Sequence, residues 1–156
     1  TNIHNKRYFM DFLEREHQRA VRHSRPLSLL IFDVDHFKKA NDEHGHINGD
    51  RVLGELAARC RSFVRKDECF ARYGGEEFGM ILPETESAGA MALAEKVRAA
   101  MAASPFALED GGSLQVTVSI GVAELRGGDT VFGLIGRADR ALYQAKGAGR
   151  NCVKQA

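Results

Sequence analysis

Cysteine is scarce in this sequence, which holds only Cys60, Cys69 and Cys152 among its 156 residues. Their number is odd, they lie far apart, and no two of them have C-x-x-C spacing, so a disulfide framework is not expected. We interpret all three as free thiols, which suits a reducing compartment.

An excess of one charge is also missing, because 22 lysines and arginines face 21 aspartates and glutamates. A chain this close to neutral lacks the basic field that drives non-specific binding to nucleic acids. Any anionic partner must therefore be bound by a local cluster of basic side chains.

Long apolar runs are absent, and the start, TNIHNKRYF, lacks the charged-then-apolar layout of a signal peptide. These absences predict a soluble, cytoplasmic domain, although a longer protein containing it could be anchored in a membrane. The sequence also lacks G-x-x-x-x-G-K-[ST], which excludes a P-loop NTPase.

The length and the 44% of hydrophobic residues fit one domain with its own core. Residue periodicity predicts helices at 5–23, 50–64, 86–103 and 131–146, and strands at 27–34, 69–73, 77–82, 114–123 and 151–154. The segment FKKANDEHGH is predicted to be a short helix or a loop closed by Gly45. This order predicts an α/β (α+β) fold with a central, mostly antiparallel sheet covered by helices on one side, because adjacent hairpin strands interrupt the alternation of a doubly wound fold.

The stretch RYGGEEFGMIL places two glycines and two adjacent glutamates at the tip of a predicted hairpin. A Gly-Gly pair favours such a turn because both residues can take positive φ. It would also let a bulky substrate lie directly against the backbone. An acidic hairpin tip can equally be a solvated turn, so the glutamates need a second observation.

That observation is Asp33, which ends the apolar run LSLLIFDV. If this strand pairs with the hairpin, Asp33, Glu76 and Glu77 meet at one sheet edge. Clustered carboxylates raise one another's pKa unless a cation lies between them, and magnesium accepts such ligands together with phosphate oxygens. The pattern therefore predicts a nucleotide site with one or two metal ions, although Asp33 alone could be a helix cap.

Five blocks, in order along the chain, resemble the GGDEF family of diguanylate cyclases: NKRYF, PLSLLIFDVDHFKKANDEHGHINGD, RYGGEEF, VTVSIGVAE and ADRALYQAKGAGRN. RYGGEEF is similar to the family signature in its common Glu variant. The resemblance implies the palm-like fold of polymerases and nucleotidyl cyclases. It also implies that two GTP molecules become cyclic di-GMP and two pyrophosphates, with one GTP held by each protomer of a homodimer and with Mg²⁺, or Mn²⁺ in its place, as the cofactor.

The resemblance also assigns roles to single residues. Glu76 would accept the proton of the attacking 3′-hydroxyl, and the metal ligands would be Asp33, the carbonyl of Val34, Glu76 and Glu77. Asn41 and Asp50 would read guanine, since an Asp acceptor matches its N1–H and N2–H₂ donors. The remaining substrate contacts would come from Phe37, Lys38, His46, Gly74, Gly75, Lys146 and Arg150. Of these, Lys38, Lys146 and Arg150 would face the phosphates.

Several of these residues have simpler interpretations. Asn41 and Asp50 could cap helices, and Lys146 with Arg150 could form a solvated turn that favours a helix dipole. His44 and His46 have H-x-H spacing, but no third zinc ligand is suitably spaced. Asp35 is interpreted as structural.

The sequence departs from the family at the R-x-x-D motif of product inhibition, because Arg65-Lys-Asp-Glu68 ends in glutamate. Weak or absent product inhibition is therefore expected. The chain begins inside the first family block, so we expect residues 1–156 to be one output domain of a longer protein with an N-terminal sensor or receiver domain. Two other functions stay open: a catalytically silent nucleotide sensor, and a cyclase that also accepts ATP, which Asp50 disfavours.

Overall fold

The computed structural model describes residues 3–156, so Thr1 and Asn2 at the start of the first family-like block lie outside it. Four helices are present in the described chain: α1 (Lys6–His23), α2 (Phe37–Arg61), α3 (Ser87–Ala103) and α4 (Val131–Gly147). The strands are β1 (Leu27–Val34), β2 (Cys69–Arg72), β3 (Glu77–Pro83), β4 (Phe106–Ala107), β5 (Ser113–Leu114), β6 (Val118–Glu124) and β7 (Val153–Gln155).

Five strands form the central sheet in the order β2-β3-β1-β6-β7. The β2–β3, β3–β1 and β1–β6 pairs are antiparallel, and only β7 runs parallel to its neighbour β6. The prediction of a mostly antiparallel sheet flanked by helices is confirmed.

The helices cover both faces of the sheet, so the expectation of helices on one side was wrong. Leu30 and Phe32 of β1 pack into a core with α2 and α3, whereas Leu29 and Ile31 pack into a second core with α1 and α4. Side chains alternate between the faces of a strand, and all eight residues of β1 are buried. A strand that is apolar on both faces requires cover on both.

The helix prediction was correct near Gly45, where α2 contains a break with φ 85° and ψ 162°. Asn41 and Asp50 both lie inside the helical span, so neither is a helix cap. The strand predicted at 114–123 was too long at its start, because β6 begins at Val118. Ser113 and Leu114 pair instead with Phe106 and Ala107, in a separate hairpin that sequence patterns did not predict.

The β2–β3 hairpin is confirmed, but the reason given for its glycines was not. Gly74 and Gly75 are not among the positive-φ residues of the described chain, which include Gly45, Gly111 and Gly149. The tight two-residue turn with positive φ is therefore absent. Hydrogen bonds hold this turn instead: the carbonyl of Glu77 accepts from the backbone nitrogens of Tyr73 at 2.8 Å and Gly74 at 3.1 Å.

Candidate active site at the edge of the sheet

Strand pairing brings the predicted carboxylates to one end of the sheet. In the β1–β3 ladder, Asp33 lies directly opposite Glu77. The backbone nitrogen of Val34 donates to the carbonyl of Glu76 at 3.4 Å, which extends the contact beyond the ladder. The convergence expected from the sequence is therefore present in the fold.

Asp33 is a buried residue, only 5% exposed. Its Oδ2 lies 2.5 Å from Nζ of Lys146, whereas its buried Oδ1 has no hydrogen-bond partner among the described residues. Burial raises the pKa of Asp33, and Lys146 only partly offsets that effect. The carboxylates of Asp35 and Glu76 raise the pKa further, so the site repels added negative charge and favours a cation.

Glu77, on the strand next to Asp33, is affected by the same group of charges. Partial burial raises the pKa of its carboxyl first, and the charges of Asp33 and Asp139 raise it further. Lys146 acts in the opposite direction, and Glu76 adds a smaller upward effect. The ammonium of Lys146 is thus the cation that balances this acidic edge.

The two glycines of the turn have different surroundings. A Cβ atom at Gly74 would lie 2.8 Å from Oε2 of Glu77, so a side chain there would displace this carboxylate. A Cβ atom at Gly75 would meet nothing within 4 Å. The space at Gly75 is therefore open and the space at Gly74 is filled by Glu77, so the contact of a bulky ligand with both glycines stays a prediction.

The site is not a complete metal cage. Among residues 3–156, no three His, Cys, Asp or Glu side chains are grouped closely enough to hold a metal ion. The unpartnered, buried Oδ1 of Asp33 nevertheless fits a hard cation, since magnesium is bound by one or two carboxylates and completes its shell with water and phosphate. The donor set suits a metal that arrives with a nucleotide.

Asp35 is the structural residue that the sequence suggested. Its Oδ1 accepts a hydrogen bond from the Ser119 hydroxyl at 2.6 Å, and its Oδ2 accepts from the Thr117 hydroxyl at 2.7 Å and from the backbone nitrogen of Asn151 at 2.9 Å. Both oxygens are thus occupied, and they join the end of β1 to β6 and to the segment after α4.

The residues predicted to contact the substrate from α2 differ in exposure. Phe37 is 8% exposed, and Asn41 packs so closely on Gly49 that a Cβ atom there would lie 1.8 Å from Oδ1 of Asn41. That Oδ1 is buried and has no hydrogen-bond partner within residues 3–156, which leaves an acceptor to satisfy. The exposed members of the group are Lys38, His46 and Asp50.

The basic residues at the end of α4 are arranged around a tight turn. Lys146 lies in the last helical turn and reaches Asp33, so it is not simply solvated. Arg150 is exposed with φ 65°, and its backbone nitrogen donates to the carbonyl of Ala145 at 3.1 Å. Left-handed backbone at Arg150 and Asn151 delays the last strand to Val153, two residues after its predicted start.

A family model described as "Diguanylate cyclase, GGDEF domain" matches residues 1–152. The chain belongs to the GGDEF family. Diguanylate cyclases of this family are metal-dependent enzymes. The match confirms the family and the nucleotidyl cyclase class predicted from the sequence motifs.

Relatives and solved structures agree with this assignment. The GGDEF domain is 46% identical over 155 residues to the response regulator PleD of Caulobacter vibrioides, an alignment that covers 98% of this chain and 34% of PleD. Diguanylate cyclase DgcP of Pseudomonas aeruginosa is 40% identical, over 100% of this chain and 23% of DgcP. The chain thus spans about a third or less of the length of these relatives.

Among solved structures, the GGDEF domain of DgcB from Caulobacter crescentus, in complex with c-di-GMP, superposes with a TM-score of 0.96 at 34% identity. That alignment covers 99% of this chain and 89% of the DgcB chain. The active GGEEF domain of a diguanylate cyclase from Vibrio cholerae superposes with a TM-score of 0.91 at 35% identity, over 99% of this chain and 97% of that chain. The palm-like cyclase fold predicted from the family resemblance is confirmed.

Arg65 and Glu68 of the GGDEF domain lie far from the carboxylates. They line a groove of about 800 Å³ with Pro26, Leu82 and Lys96. The Oε1 atom of Glu68 accepts a hydrogen bond from the backbone nitrogen of Arg65 at 2.8 Å. Burial raises the pKa of Glu68. The glutamate that replaces the family aspartate is therefore turned inward, toward its own loop.

Two residues near the site were not predicted. Arg72 donates hydrogen bonds to the carbonyls of both turn glycines, and its position in RYGGEEF was the only signal of this role. The charge of Asp139 on α4 contributes to the raised pKa of Glu77 and of Tyr73. Asp139 belongs to the family-like block ADRALYQAK, but spacing alone does not indicate which strand it faces.

The three cysteines were predicted to be free thiols. Cys60, Cys69 and Cys152 are free thiols, as expected. Burial raises the pKa of both Cys60 and Cys69 to about 12, so these two thiols are protonated at neutral pH. Within the described residues, every helix is too short or too polar to cross a membrane.

Proposed function

We propose that this GGDEF domain is a diguanylate cyclase that condenses two GTP molecules into cyclic di-GMP and releases two pyrophosphates. The observation that supports this most directly is the buried Asp33, which lies opposite Glu77 on the neighbouring strand and has one oxygen without a partner among the described residues. Beside it, the turn at Gly75 is open to a ligand. This activity is proposed for the domain. We also propose that it belongs to a longer protein with an N-terminal sensor or receiver domain.

In this proposal the divalent cation, Mg²⁺ or Mn²⁺, is held by Asp33, the carbonyl of Val34, Glu76 and Glu77. When bound, it supplies a Lewis acid that offsets charge on the phosphates. Glu76 accepts the proton of the 3′-hydroxyl, a role that a partly exposed carboxylate beside an open turn can perform.

The remaining groups bind and orient GTP. Lys146 and Arg150 at the end of α4, with Lys38 on α2, supply positive charge for the phosphates of GTP. This local charge is needed because the net charge of the domain is only +1. Asn41 and Asp50 read the guanine edge, and the buried Oδ1 of Asn41 without a partner supports this role. Phe37 and His46 complete the contacts along α2.

The product requires two GTP molecules that attack each other, so two protomers must face one another. Each protomer contributes one GTP, which makes the homodimer the active form. This part of the proposal predicts that the rate rises more steeply than linearly with protein concentration until the dimer is saturated.

The decisive experiment incubates the purified domain at high concentration with GTP and Mg²⁺ and resolves the nucleotides by chromatography. The Glu76→Gln variant is the matched control, because it removes one proton acceptor at a partly exposed position and should keep the fold. We expect cyclic di-GMP from the wild type and at least a hundredfold less from the variant. Full activity in the variant, or GTP binding without product in a dimerising fusion of the wild type, would contradict the proposal.

A further inference from the structure

The turn that presents Glu76 is held by a side chain. The Nε atom of Arg72 donates to the carbonyl oxygens of Gly74 at 3.2 Å and Gly75 at 3.0 Å, and its Nη2 donates to the same oxygen of Gly75 at 2.6 Å. One guanidinium thus fixes two consecutive peptide groups. Its fork of donors suits this arrangement, which a single ammonium cannot reproduce.

The turn needs such support because of its composition. Two glycines in sequence have no side chains to restrict them, and glycine loses more conformational freedom on folding than any other residue. Beyond the turn, the carbonyl of Glu76 accepts a long hydrogen bond, 3.4 Å from the nitrogen of Val34. Without Arg72, the peptide that precedes Glu76 would lose its side-chain contacts.

The choice of partners by Arg72 is informative. It lies four and five residues from two glutamates, yet in the described chain it forms no ion pair with either Glu76 or Glu77. Its hydrogen bonds go to backbone carbonyls, which leaves both carboxylates available. An arginine that neutralised the glutamates would compete with the cation and with the proton that Glu76 is proposed to accept.

We propose that Arg72 is the positioning residue of the catalytic hairpin: it locks the Gly74–Gly75 turn so that Glu76 is held beside Asp33. Arg72 acts through the backbone and does not bind the nucleotide. This inference rests on the proposed cyclase function for its kinetic consequences, but its structural content is independent of activity.

The kinetic test compares Arg72→Ala and Arg72→Lys with the wild type. Displacing a reacting group by about 1 Å can cost a hundredfold in rate, so we expect Arg72→Ala to lower kcat about 10- to 100-fold, with KM for GTP changed less than about threefold. Arg72→Lys should fall between the two, because lysine can hold one carbonyl but not both. Methylguanidinium added to Arg72→Ala should restore part of kcat, since the lost bonds go to backbone acceptors.

The control is Arg25→Ala, which removes an exposed arginine that pairs with Glu84 at the far end of the sheet. It should leave kcat unchanged, with or without methylguanidinium. A rise in KM at constant kcat in Arg72→Ala would mean that Arg72 binds the nucleotide and would overturn the inference. Unchanged kinetics in Arg72→Ala would overturn it as well.

A second readout does not need turnover. The backbone nitrogens of Tyr73 and Gly74 are protected by the Glu77 carbonyl, so their hydrogen exchange reports the closed turn. We expect exchange at these amides to accelerate at least tenfold in Arg72→Ala, with less effect in Arg72→Lys and none in Arg25→Ala. Equal protection in all variants would refute the role of Arg72. If the wild type made no cyclic di-GMP, the proposed function would fail while this measurement still decided the inference.

Discussion

At the scale of single residues, the site depends on how Asp33 tolerates burial. A buried carboxylate is costly unless a charge or hydrogen-bond donor accompanies it, and in the described part of the chain Lys146 alone does so. The ammonium therefore contacts Oδ2 of the same carboxylate whose free Oδ1 is proposed to bind the divalent cation. Since Lys146 is also the residue proposed to contact phosphates, its pairing with Asp33 links the loading of the cation to the binding of the nucleotide.

Replacement of Lys146 by methionine tests this link. Lys146→Met leaves Asp33 buried without a counter-charge, and we expect it to lower the free energy of unfolding by about 1–3 kcal/mol in EDTA, less than for a fully buried pair because the lysine is partly exposed. Saturating Mn²⁺ should restore more stability to the variant than it adds to the wild type, since no ammonium competes for Asp33. Urea denaturation with and without Mn²⁺ measures both effects.

The control for this experiment is Lys39→Met. Lys39 pairs with Glu43 at 3.9 Å on the surface of α2, where both side chains are more than half exposed. Exposed pairs contribute little, so we expect a change below about 1 kcal/mol that does not depend on Mn²⁺. If Lys146→Met behaved like this control, the ammonium would have no role in balancing Asp33.

At the scale of elements, sequence patterns located long segments well and short ones poorly. The bounds of β1 were predicted correctly because its apolar run is bounded by Pro26 and by acid. The β4–β5 hairpin was missed because two-residue strands carry no periodicity. Coverage of both sheet faces could have been predicted from the unbroken apolar run of β1, but the hairpin order was given more weight.

In the candidate site, sequence patterns predicted the carboxylates but not the contacts that other residues make with them. Asp33, Glu76 and Glu77 could be predicted because strand ends and turns are visible in sequence, and strand pairing then placed Asp33 opposite Glu77. The contact of Lys146 with Asp33 joins positions more than a hundred residues apart, so no local pattern reveals it. The role of Arg72 depends on the direction of two carbonyls, which follows from the backbone path of the turn.

The segment between β6 and α4 offers a test at this scale. Arg137 is 9% exposed, and its buried Nε and Nη1 atoms have no partner among residues 3–156. Its Nη2 donates to the Asp129 carboxylate and, at 2.5 Å, to the carbonyl of Glu124. Asp129→Asn removes the only nearby negative charge in this contact. We expect a loss of about 3 kcal/mol in the free energy of unfolding at pH 7, because a buried cation is left unbalanced.

The pH dependence of the free energy of unfolding tests whether the charge of Asp129 causes this loss. Partial burial alone would raise the pKa of Asp129, but the hydrogen bond and charge of Arg137 and the backbone nitrogen of Arg126 outweigh it and hold the pKa below the ordinary value of 3.8. The stabilisation is therefore fully present above about pH 4 and is lost as the pH falls through the lowered pKa. Denaturation curves of the wild type and Asp129→Asn should converge at low pH, whereas those of the exposed control Asp11→Asn should match the wild type throughout. A gap that persisted at pH 2 would show that charge is not the cause.

At the scale of the whole molecule, the two regions predicted to bind nucleotides lie apart. The carboxylates lie where β1 ends at Asp33, and the groove of Arg65 and Glu68 lies near Leu82, which pairs with the start of β1 at Ser28. Five residues of antiparallel strand separate these ends by about 17 Å, so a ligand in the groove cannot touch the carboxylates directly. An effect of product in the groove would therefore have to reach the carboxylates indirectly.

The groove is poorly suited to a dianionic product, because its cations Arg65 and Lys96 are outnumbered by the carboxylates of Glu68, Glu84 and Glu86. Shortening Glu68 should change this. In the chain's second R-x-x-acid turn, Asp129 accepts from the nitrogen of Arg126 at 2.8 Å, the same distance as between Glu68 and Arg65, so an aspartate also fits such a turn. Glu68→Asp would restore R-x-x-D and withdraw the carboxylate from the groove.

We expect Glu68→Asp to bind cyclic di-GMP at least about tenfold more tightly than the wild type, which corresponds to about 1.4 kcal/mol. Isothermal titration on both proteins measures the difference, and progress curves of GTP turnover should then slow earlier in the variant as product accumulates. Glu86→Asp shortens another glutamate of the same groove by one methylene and should leave the affinity unchanged. Tight binding by the wild type that disappears in Arg65→Ala would show instead that glutamate at position 68 already supports product inhibition, because the arginine then reaches the ligand despite the longer acid.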